Sequence, residues 1–283
     1  MWTSDKWREY ELIDAASGQR LERWGGDIFM RPDPMAIWEV RAETAPWKNV
    51  AARYQRSDKG GGNWEFFKKL PAEWTLSYRE MTFKVKPMGF KHMAVFPEQA
   101  VNWDWIDGLI RNANREIRVL NLFAYTGCAS VAAASAGAQV CHVDAAKGMV
   151  QMAKENATLS GIPQDKIRYI VDDCTKFVTR EINRGKVYDG IILDPPSYGR
   201  GPGGEVWKIE DELWGLLNLC KQVLSDKPLF VLLNSYTTGL SAGAVENLMK
   251  IVFGKNATAS EIGLPITSKG LILPCGASGR WTG

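Results

Sequence analysis

The segment Asp194-Pro195-Pro196-Ser197-Tyr198 carries the most specific chemistry in this sequence of 283 residues. Two consecutive prolines fix φ and remove two N–H donors, so the segment is stiff and its carbonyls can point at an amino group or ring edge of a substrate. Asp194 adds a carboxylate, and Tyr198 adds a ring that can stack on a base. These five residues are our candidate catalytic residues, and a rigid turn without chemistry is the alternative.

A second candidate site is the loop Asn121-Leu122-Phe123-Ala124-Tyr125-Thr126-Gly127, which follows an apolar stretch. A dinucleotide-binding turn needs three glycines, and this loop has one, so it lacks the bare backbone that a pyrophosphate requires. The loop can instead pass close to an uncharged or zwitterionic nucleoside, with Gly127 admitting the ligand. The alternative is a helix start with Thr126 as its N-cap.

Carboxylates follow the next two apolar stretches. Asp144 comes about twenty residues after the loop, where a carboxylate can accept hydrogen bonds from both ribose hydroxyls of a nucleoside cofactor. In Asp172-Asp173-Cys174, an acidic side chain can accept from an adenine amino group. Each of these residues, taken alone, can equally be a helix N-cap. A single site at the ends of successive strands would explain all of these residues together, which favours a cofactor site.

Alternating apolar and amphipathic stretches place these residues in the fold. Strands are predicted at Ile117–Leu122, Val140–Val143, Ile167–Val171, Val187–Leu193 and Leu229–Leu233, and helices at Glu98–Asn112, Ala146–Leu159, Thr175–Arg184 and Glu210–Leu224. Apolar runs separated by helices of roughly ten to fifteen residues indicate βαβ units and a buried parallel sheet, hence an α/β fold. Such sheets bind ligands at the carboxyl ends of their strands, where the candidate residues lie.

The first ninety residues follow a different pattern. They break often at Gly and Pro, with short aromatic or β-branched stretches such as Ile37–Arg41 and Met81–Val85 in between. This pattern predicts a small β-rich module. We therefore expect two domains, a β-rich module at residues 1–90 and an α/β domain at residues 91–283.

Charge and composition exclude several classes of protein. The chain has 35 Lys and Arg against 32 Asp and Glu, so any nucleic-acid binding must come from a local patch. Five Cys without regular spacing and only two His favour neither a disulfide framework nor a metal site. The start of the chain is charged and aromatic, and the apolar run Pro228–Leu233 is too short to cross a bilayer. We expect a cytoplasmic protein with reduced thiols and no membrane partner.

A local basic patch does exist. Between Lys48 and Lys91 there are ten basic and four acidic residues. Interleaved with them are aromatic residues that include Trp64, Phe66, Phe67, Trp74 and Tyr78. Basic residues hold phosphates while exposed rings stack on unpaired bases, which is how single-stranded RNA is commonly bound. The alternative is that the rings form the core of the module and the charges form its solvated face.

The motifs Asn121-Leu-Phe-Ala-Tyr-Thr-Gly, Val143-Asp144, Asp172-Asp173 and Asp194-Pro-Pro-Ser-Tyr-Gly-Arg together resemble the class I S-adenosylmethionine-dependent methyltransferases. More narrowly, they are similar to the bacterial group that methylates bases of 23S, large-subunit, ribosomal RNA. The resemblance covers the chain from about Phe90 to its end. It implies a Rossmann-like sheet of seven mostly parallel strands, S-adenosylmethionine as cofactor and RNA as substrate.

The resemblance also implies a role for each matched position. Phe123 to Gly127 wrap the methionine part of the cofactor, Asp144 holds the ribose with Ala145 beside it, and Asp173 with the Cys174 backbone binds adenine. Asp194 to Tyr198 receive the target base. Phe96-Pro97-Glu98-Gln99 stands in the place of a segment that also reaches the cofactor, although the usual sequence there differs. Phe96 and Gln99 are therefore further cofactor-binding candidates, together with Asn121 and Asp194.

The nature of the methylated atom depends on whether a thiolate is available. A nitrogen nucleophile needs only to be held in line with the methyl group, whereas pyrimidine C5 must first be activated by a covalent thiolate. Neither Asp194–Tyr198 nor Leu233–Thr237, the segments after the fourth and fifth predicted strands, contains Cys. Cys275 is the only late Cys in a loop-like context, and a buried free thiol is its default interpretation. We therefore favour a nitrogen target.

Other functions stay open at this stage. The cofactor motifs do not identify the acceptor, so a methyltransferase that acts on a protein or a small molecule is the main alternative. A non-enzymatic RNA-binding protein with this fold is disfavoured by the intact Asp144 and the Asp194–Tyr198 segment. Both a monomer and a homodimer are compatible with the sequence.

Overall fold

The computed structural model describes residues 1–57, 61–89, 91–200, 206–237 and 239–283. The strands are β1 (Trp2–Thr3), β2 (Tyr10–Ala16), β3 (Gln19–Trp24), β4 (Asp27–Pro32), β5 (Ala52–Arg56), β6 (Gly62–Phe66), β7 (Trp74–Tyr78), β8 (Met81–Val85), β9 (Arg118–Leu122), β10 (Gln139–Asp144), β11 (Ile167–Val171), β12 (Gly190–Leu193), β13 (Tyr198–Arg200), β14 (Val206–Lys208), β15 (Phe230–Ser235), β16 (Thr258–Ile266) and β17 (Leu271–Thr282). The helices are α1 (Ala100–Asn112), α2 (Cys128–Ser135), α3 (Lys147–Leu159), α4 (Cys174–Asn183), α5 (Ile209–Gln222) and α6 (Ala242–Phe253).

The chain divides into two units. The smaller unit comprises Met1–Val101 and Ile262–Cys275, and the larger unit comprises Asn102–Glu261 and Gly276–Gly283. The boundary therefore falls within β16 and again within β17. Among the described residues, no helix is both long and apolar enough to span a membrane.

The larger unit contains the predicted parallel sheet. Its strand order is β11-β10-β9-β12-β15-β17, and only β17 runs antiparallel to its neighbour β15. β16 follows β17 in the order and completes the seven strands that the resemblance implies. This confirms the α/β, Rossmann-like fold. Each strand predicted in this region forms, with boundaries that differ by at most three residues.

Both faces of this sheet are covered, which explains why its strands read as continuous apolar runs. All four residues of β12 and all six of β15 are buried. Alternate strand residues such as Leu120, Ile191 and Val231 pack against the apolar residues of α4, α5 and α6. The intervening residues face the other way, as the two-residue period of a strand requires. Among these, Asn121 and His142 contact α2 through Ser130.

The smaller unit is β-rich, as predicted. β2, β3 and β4 pair antiparallel in sequence, β5 joins β4 in parallel, and β6 pairs antiparallel with β5. β7 and β8 form a separate two-stranded sheet, and β8 coincides with the predicted stretch Met81–Val85.

The β-branched stretch Ile37–Arg41, which contributed to the prediction of a β-rich module, does not itself form a strand. These residues are outside any strand, and the side chains of Ile37 and Val40 are 81% and 73% exposed. The segment is held instead by Trp38, whose indole N–H donates to the Ala15 carbonyl at 2.5 Å and whose carbonyl accepts from Ser17 N–H. The segment is therefore held by contacts of Trp38 and not by pairing with another strand, and the β-branched residues Ile37 and Val40 stay exposed.

The interleaved aromatic residues divide between core and surface. Tyr78 is buried, Trp74 stacks on Phe29 at 5.6 Å, and the Trp64 indole donates to the Met88 carbonyl at 2.8 Å. These three rings match the alternative in which the aromatic residues pack within the module. Two other aromatic residues, Phe66 and Phe67, are 53% and 52% exposed. Within the basic stretch, Asp58 and Lys59 lie outside the described residues.

Candidate active site

Asp144, at the end of β10, binds two backbone segments at once. Its Oδ2 accepts from Tyr125 N–H and its Oδ1 accepts from Ala146 N–H, both at 2.8 Å. Ala146, and not Asp144, is the N-cap residue of α3. The carboxylate is half-buried, and burial raises the pKa of Asp144 against the opposing effect of these two hydrogen bonds. Because each carboxylate oxygen has two lone pairs, both oxygens can also accept from ribose hydroxyls.

The loop after β9 has an unusual backbone. Phe123, Tyr125 and Gly127 have φ values of 54°, 50° and 81°, in the left-handed region. Non-glycine residues there cost on the order of 1 kcal/mol or more each and persist where surrounding contacts hold them, often at ligand sites. The holding contacts are Ala124 N–H to the Val143 carbonyl at 3.1 Å and Phe123 N–H to Cys174 Sγ at 3.2 Å. The loop is thus held by β10 and by the first residue of α4.

Gly127 is required by close packing as well as by its φ. A Cβ at this position would lie 2.6 Å from the Ala153 Cβ on α3. Gly127 is also the N-cap residue of α2, so Thr126 does not cap that helix. The Thr126 carbonyl accepts from Asn156 Nδ2 at 2.8 Å instead. The predicted contact of Gly127 with a ligand stays a prediction.

A buried polar chain lies beneath the loop. Asn121 Nδ2 donates to Ser130 Oγ at 2.9 Å, and Ser130 Oγ lies 3.0 Å from His142 Nδ1. With the Asn as donor, the hydroxyl proton of Ser130 points at Nδ1, which leaves the imidazole proton on Nε2. Burial lowers the pKa of His142 to about 3, so the ring is neutral. The side chain of Asn121 is buried and bonded to Ser130, and its predicted contact with the cofactor stays a prediction.

The sequence analysis missed the other members of this buried chain, Ser130 and His142, and it also missed Asn156, which donates to the Thr126 carbonyl. Ser130, His142 and Asn156 were not among the candidate residues, although each is completely buried. A polar residue within an apolar stretch was the available signal: His142 lies between Cys141 and Val143 in β10.

The two acidic residues after β11 have different partners. Asp172 forms an ion pair with Arg180 and accepts from Asp173 N–H at 2.9 Å. Asp173 is the N-cap of α4, and its Oδ1 accepts from Lys176 N–H at 2.8 Å. The cap interpretation is therefore correct for Asp173, and the rest of its carboxylate can still accept from an amino group. Cys174 is the first residue of α4, where backbone N–H groups have no acceptor within the helix.

The Asp194–Tyr198 segment is anchored at both ends. Asp194 N–H donates to the Leu122 carbonyl of β9 at 3.4 Å, and the Ser197 carbonyl accepts from Ile209 N–H at 3.1 Å. Tyr198 begins β13, pairs with Lys208 of β14 and is 54% exposed. Pro195 is buried, whereas Pro196 and Ser197 are exposed. The predicted stiffness of the segment stays a prediction, and contacts within the protein already use its Pro196 and Ser197 carbonyls.

Trp207 on β14 is a site residue that the sequence analysis missed. Its indole N–H donates to the Pro196 carbonyl at 2.7 Å, and its ring lies 5.0 Å from the ring of Phe123 at an angle of 54°. Trp207 thus joins the loop after β9 to the Pro-Pro segment after β12. No local pattern marked it, because the contact depends on the pairing of β13 with β14.

The predicted cofactor residues Phe96 and Gln99 belong to the smaller unit. Phe96 is half-buried, with its ring 5.1 Å from that of His92. Gln99 is buried and its N–H donates to the Phe96 carbonyl at 3.0 Å. Between them, the Pro97 carbonyl accepts from Ser4 Oγ and from the Trp7 indole, at 2.7 and 2.9 Å. These contacts fix the segment, and its contribution to cofactor binding stays a prediction.

All five cysteines lie within the described residues, and none is arranged as a nucleophile. Burial raises the pKa of the Cys128 thiol to about 12 and of the Cys141 thiol to about 11, and raises those of Cys174 and Cys220 further. Burial also raises the pKa of Cys275, whose Sγ lies 3.4 Å from the Leu273 carbonyl. The thiolate is the reactive form, so these environments disfavour covalent catalysis.

Comparison with known proteins decides the family. A family model described as S-adenosylmethionine-dependent methyltransferase matches residues 50–212, more than half of the chain. The chain belongs to this family. The crystal structure of an S-adenosylmethionine-dependent methyltransferase from Agrobacterium tumefaciens is 37% identical, with a TM-score of 0.93 over 99% of this chain and 92% of that chain. This enzyme is therefore an S-adenosylmethionine-dependent methyltransferase.

Two curated relatives of this methyltransferase carry ribosomal names. The ribosomal RNA large subunit methyltransferase K/L of Pseudoalteromonas translucida is 26% identical over 80% of this chain and 30% of its own length. The ribosomal RNA large subunit methyltransferase I of Tolumonas auensis is 39% identical over 30% of this chain and 21% of its own length. The chain thus spans less than a third of either relative.

The strand-end residues fit S-adenosylmethionine, which supplies an activated methyl group on its sulfonium. Asp144 retains lone pairs for ribose hydroxyls, and Asp173 with the first N–H of α4 offers an acceptor and a donor for adenine. The left-handed residues of the loop after β9 supply a fixed backbone surface beside them. The donor and acceptor set therefore matches a nucleoside cofactor without a pyrophosphate.

Proposed function

We propose that this methyltransferase transfers a methyl group to a nucleobase of RNA, in the large ribosomal subunit. The names of the curated relatives support an RNA acceptor, and the chain covers only part of each of them. The observation that carries the proposal is the exposed Tyr198 ring on the stiff segment that begins with Asp194, one strand away from the loop after β9. A ring in that position suits a planar base, since stacking needs only an accessible face.

Cofactor contacts form the first half of the proposal. Asp144 and Ala145 hold the ribose, Asp173 and Cys174 N–H hold the adenine, and residues 123–127 hold the methionine part. Phe96 and Gln99 are kept as cofactor residues by resemblance, whereas we assign Asn121 to support of the loop because its amide is bonded to Ser130.

Acceptor chemistry forms the second half. Tyr198 stacks on the target base, and the Pro195 carbonyl with the Asp194 carboxylate accepts N–H groups of a base nitrogen. These contacts orient the nitrogen lone pair for in-line displacement, where positioning supplies most of the catalysis. The proton that the nitrogen loses passes to the Asp194 carboxylate or to water. A nitrogen target is favoured because all five thiols are in environments that raise their pKa.

Residues 1–90 are proposed as the part that recognises RNA. Their support is the excess of basic residues between Lys48 and Lys91 and the exposure of Phe66 and Phe67.

The test is transfer of tritiated methyl from S-adenosylmethionine to total RNA from a strain that lacks this protein. Nucleoside mass spectrometry of the labelled fraction then identifies the atom. We expect label on a base nitrogen of large-subunit RNA, and we expect the Asp194→Asn variant to bind the cofactor but to label RNA far more slowly.

Two results would contradict parts of this proposal. Label at pyrimidine C5 would refute the nitrogen target, and Cys275→Ser would then be the variant to examine. Cofactor binding without any label in RNA would refute the RNA acceptor and would direct the search to proteins or small molecules.

A further inference from the structure

A pocket of about 630 Å³ opens on the smaller unit, within the size range of ligand sites. Three arginines line it: Arg41, Arg53 and Arg56. Tyr54 and Gln55 on β5 and Gln19 on β3 add further hydrogen-bonding groups. None of the lining residues in the described part of the chain is acidic. We call this site the arginine pocket.

The charge of the arginine pocket is weakly compensated. Arg53 pairs with Glu65 at 2.7 Å, but both side chains are well exposed, and such a pair contributes little and can exchange for another anion. Within residues 1–57, 61–89 and the rest of the described chain, neither Arg41 nor Arg56 has a carboxylate partner. Two guanidinium groups thus line the pocket without a carboxylate partner among the residues that the structure describes.

The half-buried ammonium of Lys91 adds to the positive charge at one wall. Lys91 Nζ donates to the carbonyl of Pro32, a lining residue, at 3.2 Å. Burial, then the charges of Arg20, Arg31 and Arg56, lower the pKa of Lys91 to about 8, while Asp33 opposes them. An anion in the pocket would therefore reduce the electrostatic repulsion between Lys91 and the nearby arginines.

Aromatic rings flank the same arginines. The Arg41 guanidinium lies 4.4 Å from the centre of the Trp47 ring, and that of Arg53 lies 5.6 Å from the ring of Phe67. Phe67 and the adjacent Phe66 are both about half exposed, at 52% and 53%. Flat cation and ring surfaces beside a phosphate-binding group are the combination that binds unpaired nucleotides, because bases stack while guanidinium groups hold the backbone.

We propose that the arginine pocket binds the phosphodiester backbone of single-stranded RNA, with Arg41 and Arg56 on phosphates and bases against Trp47 and Phe67. The assignment rests on the proposed function, because it assigns the pocket to the same RNA substrate. The flanking rings favour RNA over a phosphorylated peptide, whose side chains offer few planar faces to stack.

The experiment measures binding of a fluorescent single-stranded RNA oligonucleotide to the full chain by anisotropy at several salt concentrations. The variant R41Q/R56Q is compared with R8Q/R79Q, which removes the same charge from exposed arginines of the same unit that do not line the pocket. We expect R41Q/R56Q to weaken binding at least tenfold, and R8Q/R79Q to change it less than twofold. The slope of log affinity against log salt should become shallower by about 1.4, since each phosphate contact on a single strand contributes about 0.7.

Several outcomes would contradict the proposal that the arginine pocket binds RNA. Equal weakening by both variants would show diffuse attraction, and absence of RNA binding by the wild type would exclude the site. Equal displacement of RNA by polyphosphate or by a phosphopeptide of matched charge would show an anion site without preference for RNA. Circular dichroism and thermal melting of each variant separate lost binding from lost folding.

Methyl transfer measured in parallel separates this inference from the proposed function. If the wild type binds RNA through the pocket but labels none, the proposed function fails and the pocket stands. If R41Q/R56Q binds and labels RNA as the wild type does, the pocket fails and the proposed function stands.

Discussion

The two halves of the candidate active site are built differently. On the proposed cofactor side, between β9, β10 and β11, Asp144 accepts hydrogen bonds from two backbone N–H groups. The hydrogen-bonded side chains of Asn121, Ser130 and His142 on this side are buried. On the acceptor side, Tyr198 is more than half exposed, and the Pro-Pro segment is held by the Trp207 indole. The proposed cofactor side is therefore held by the core of the larger unit, whereas the proposed acceptor side depends on a few surface contacts.

This difference predicts different consequences of mutation. Changes on the cofactor side should lower both ligand affinity and the free energy of unfolding, because the same hydrogen bonds serve both. Changes on the acceptor side should lower turnover with little effect on folding. The following four variants test the comparison.

The largest effect is expected for Asp144→Ala. Loss of a charged hydrogen-bonding partner should weaken S-adenosylmethionine binding by about 1.5 to 3 kcal/mol and should lower stability as well, since Tyr125 and Ala146 N–H lose their acceptor. Isothermal calorimetry and urea denaturation measure the two quantities. Asp144→Asn is the matched control that keeps an acceptor oxygen, and unchanged affinity in the Ala variant would remove Asp144 from the site.

On the acceptor side, Tyr198→Ala should reduce turnover without changing cofactor affinity. The expected loss is about 1 to 3 kcal/mol, the value of stacking on one base. Single-turnover methyl transfer and cofactor titration measure the two effects, with Tyr198→Phe as the control that keeps the ring. A large loss of cofactor affinity would instead place Tyr198 on the cofactor side.

The pH dependence of stability should report the buried His142. Its pKa is about 3 in the folded chain against about 6.5 when unfolded, so below pH 6.5 only the unfolded state binds the proton. The titration of His142 therefore leaves the free energy of unfolding unchanged above pH 6.5 and lowers it by about 1.4 kcal/mol per pH unit as the pH decreases toward 3. Urea denaturation at pH 7.5 and 5.5 should show a smaller decrease for His142→Asn than for the wild type.

His92, the other histidine, provides a control for this measurement. Burial lowers the pKa of His92 to about 4, so it contributes a similar dependence of its own in the smaller unit. The His92→Asn variant should keep the part of the pH dependence of stability that is due to His142. Equal pH dependence in wild type and His142→Asn would show that the His142 ring is not held neutral.

The smallest effect is expected for Trp207→Phe. This change keeps a ring against Phe123 and removes only the hydrogen bond to the Pro196 carbonyl, worth about 1 kcal/mol. Turnover should fall several-fold while the thermal midpoint and cofactor affinity stay close to those of the wild type. A loss of cofactor affinity equal to that of turnover would show that Trp207 acts through the loop and not through the Pro-Pro segment.

Local patterns were sufficient for the strand ends of the larger unit. The apolar runs that became β9, β10, β12 and β15 are almost entirely buried, so their composition is dictated by burial and is visible without a structure. The edge strand β11 is only partly buried. Prediction failed where side chains do the anchoring. Ile37–Arg41 has strand-like residues but no strand partner, and the segment is fixed by Trp38.

The sequence by itself determined the α/β order, the positions of Asp144, Asp173 and Asp194 at the ends of strands, and the absence of Cys from the segments Asp194–Tyr198 and Leu233–Thr237. The tertiary structure decided which lone pairs and rings are already in use. It assigned Asn121 to a buried chain, gave one oxygen of Asp173 to a helix cap and brought Trp207 to the Pro196 carbonyl. The physical reason is that period and composition report burial, which is local, whereas hydrogen-bond partners are set by contacts between residues far apart in the chain.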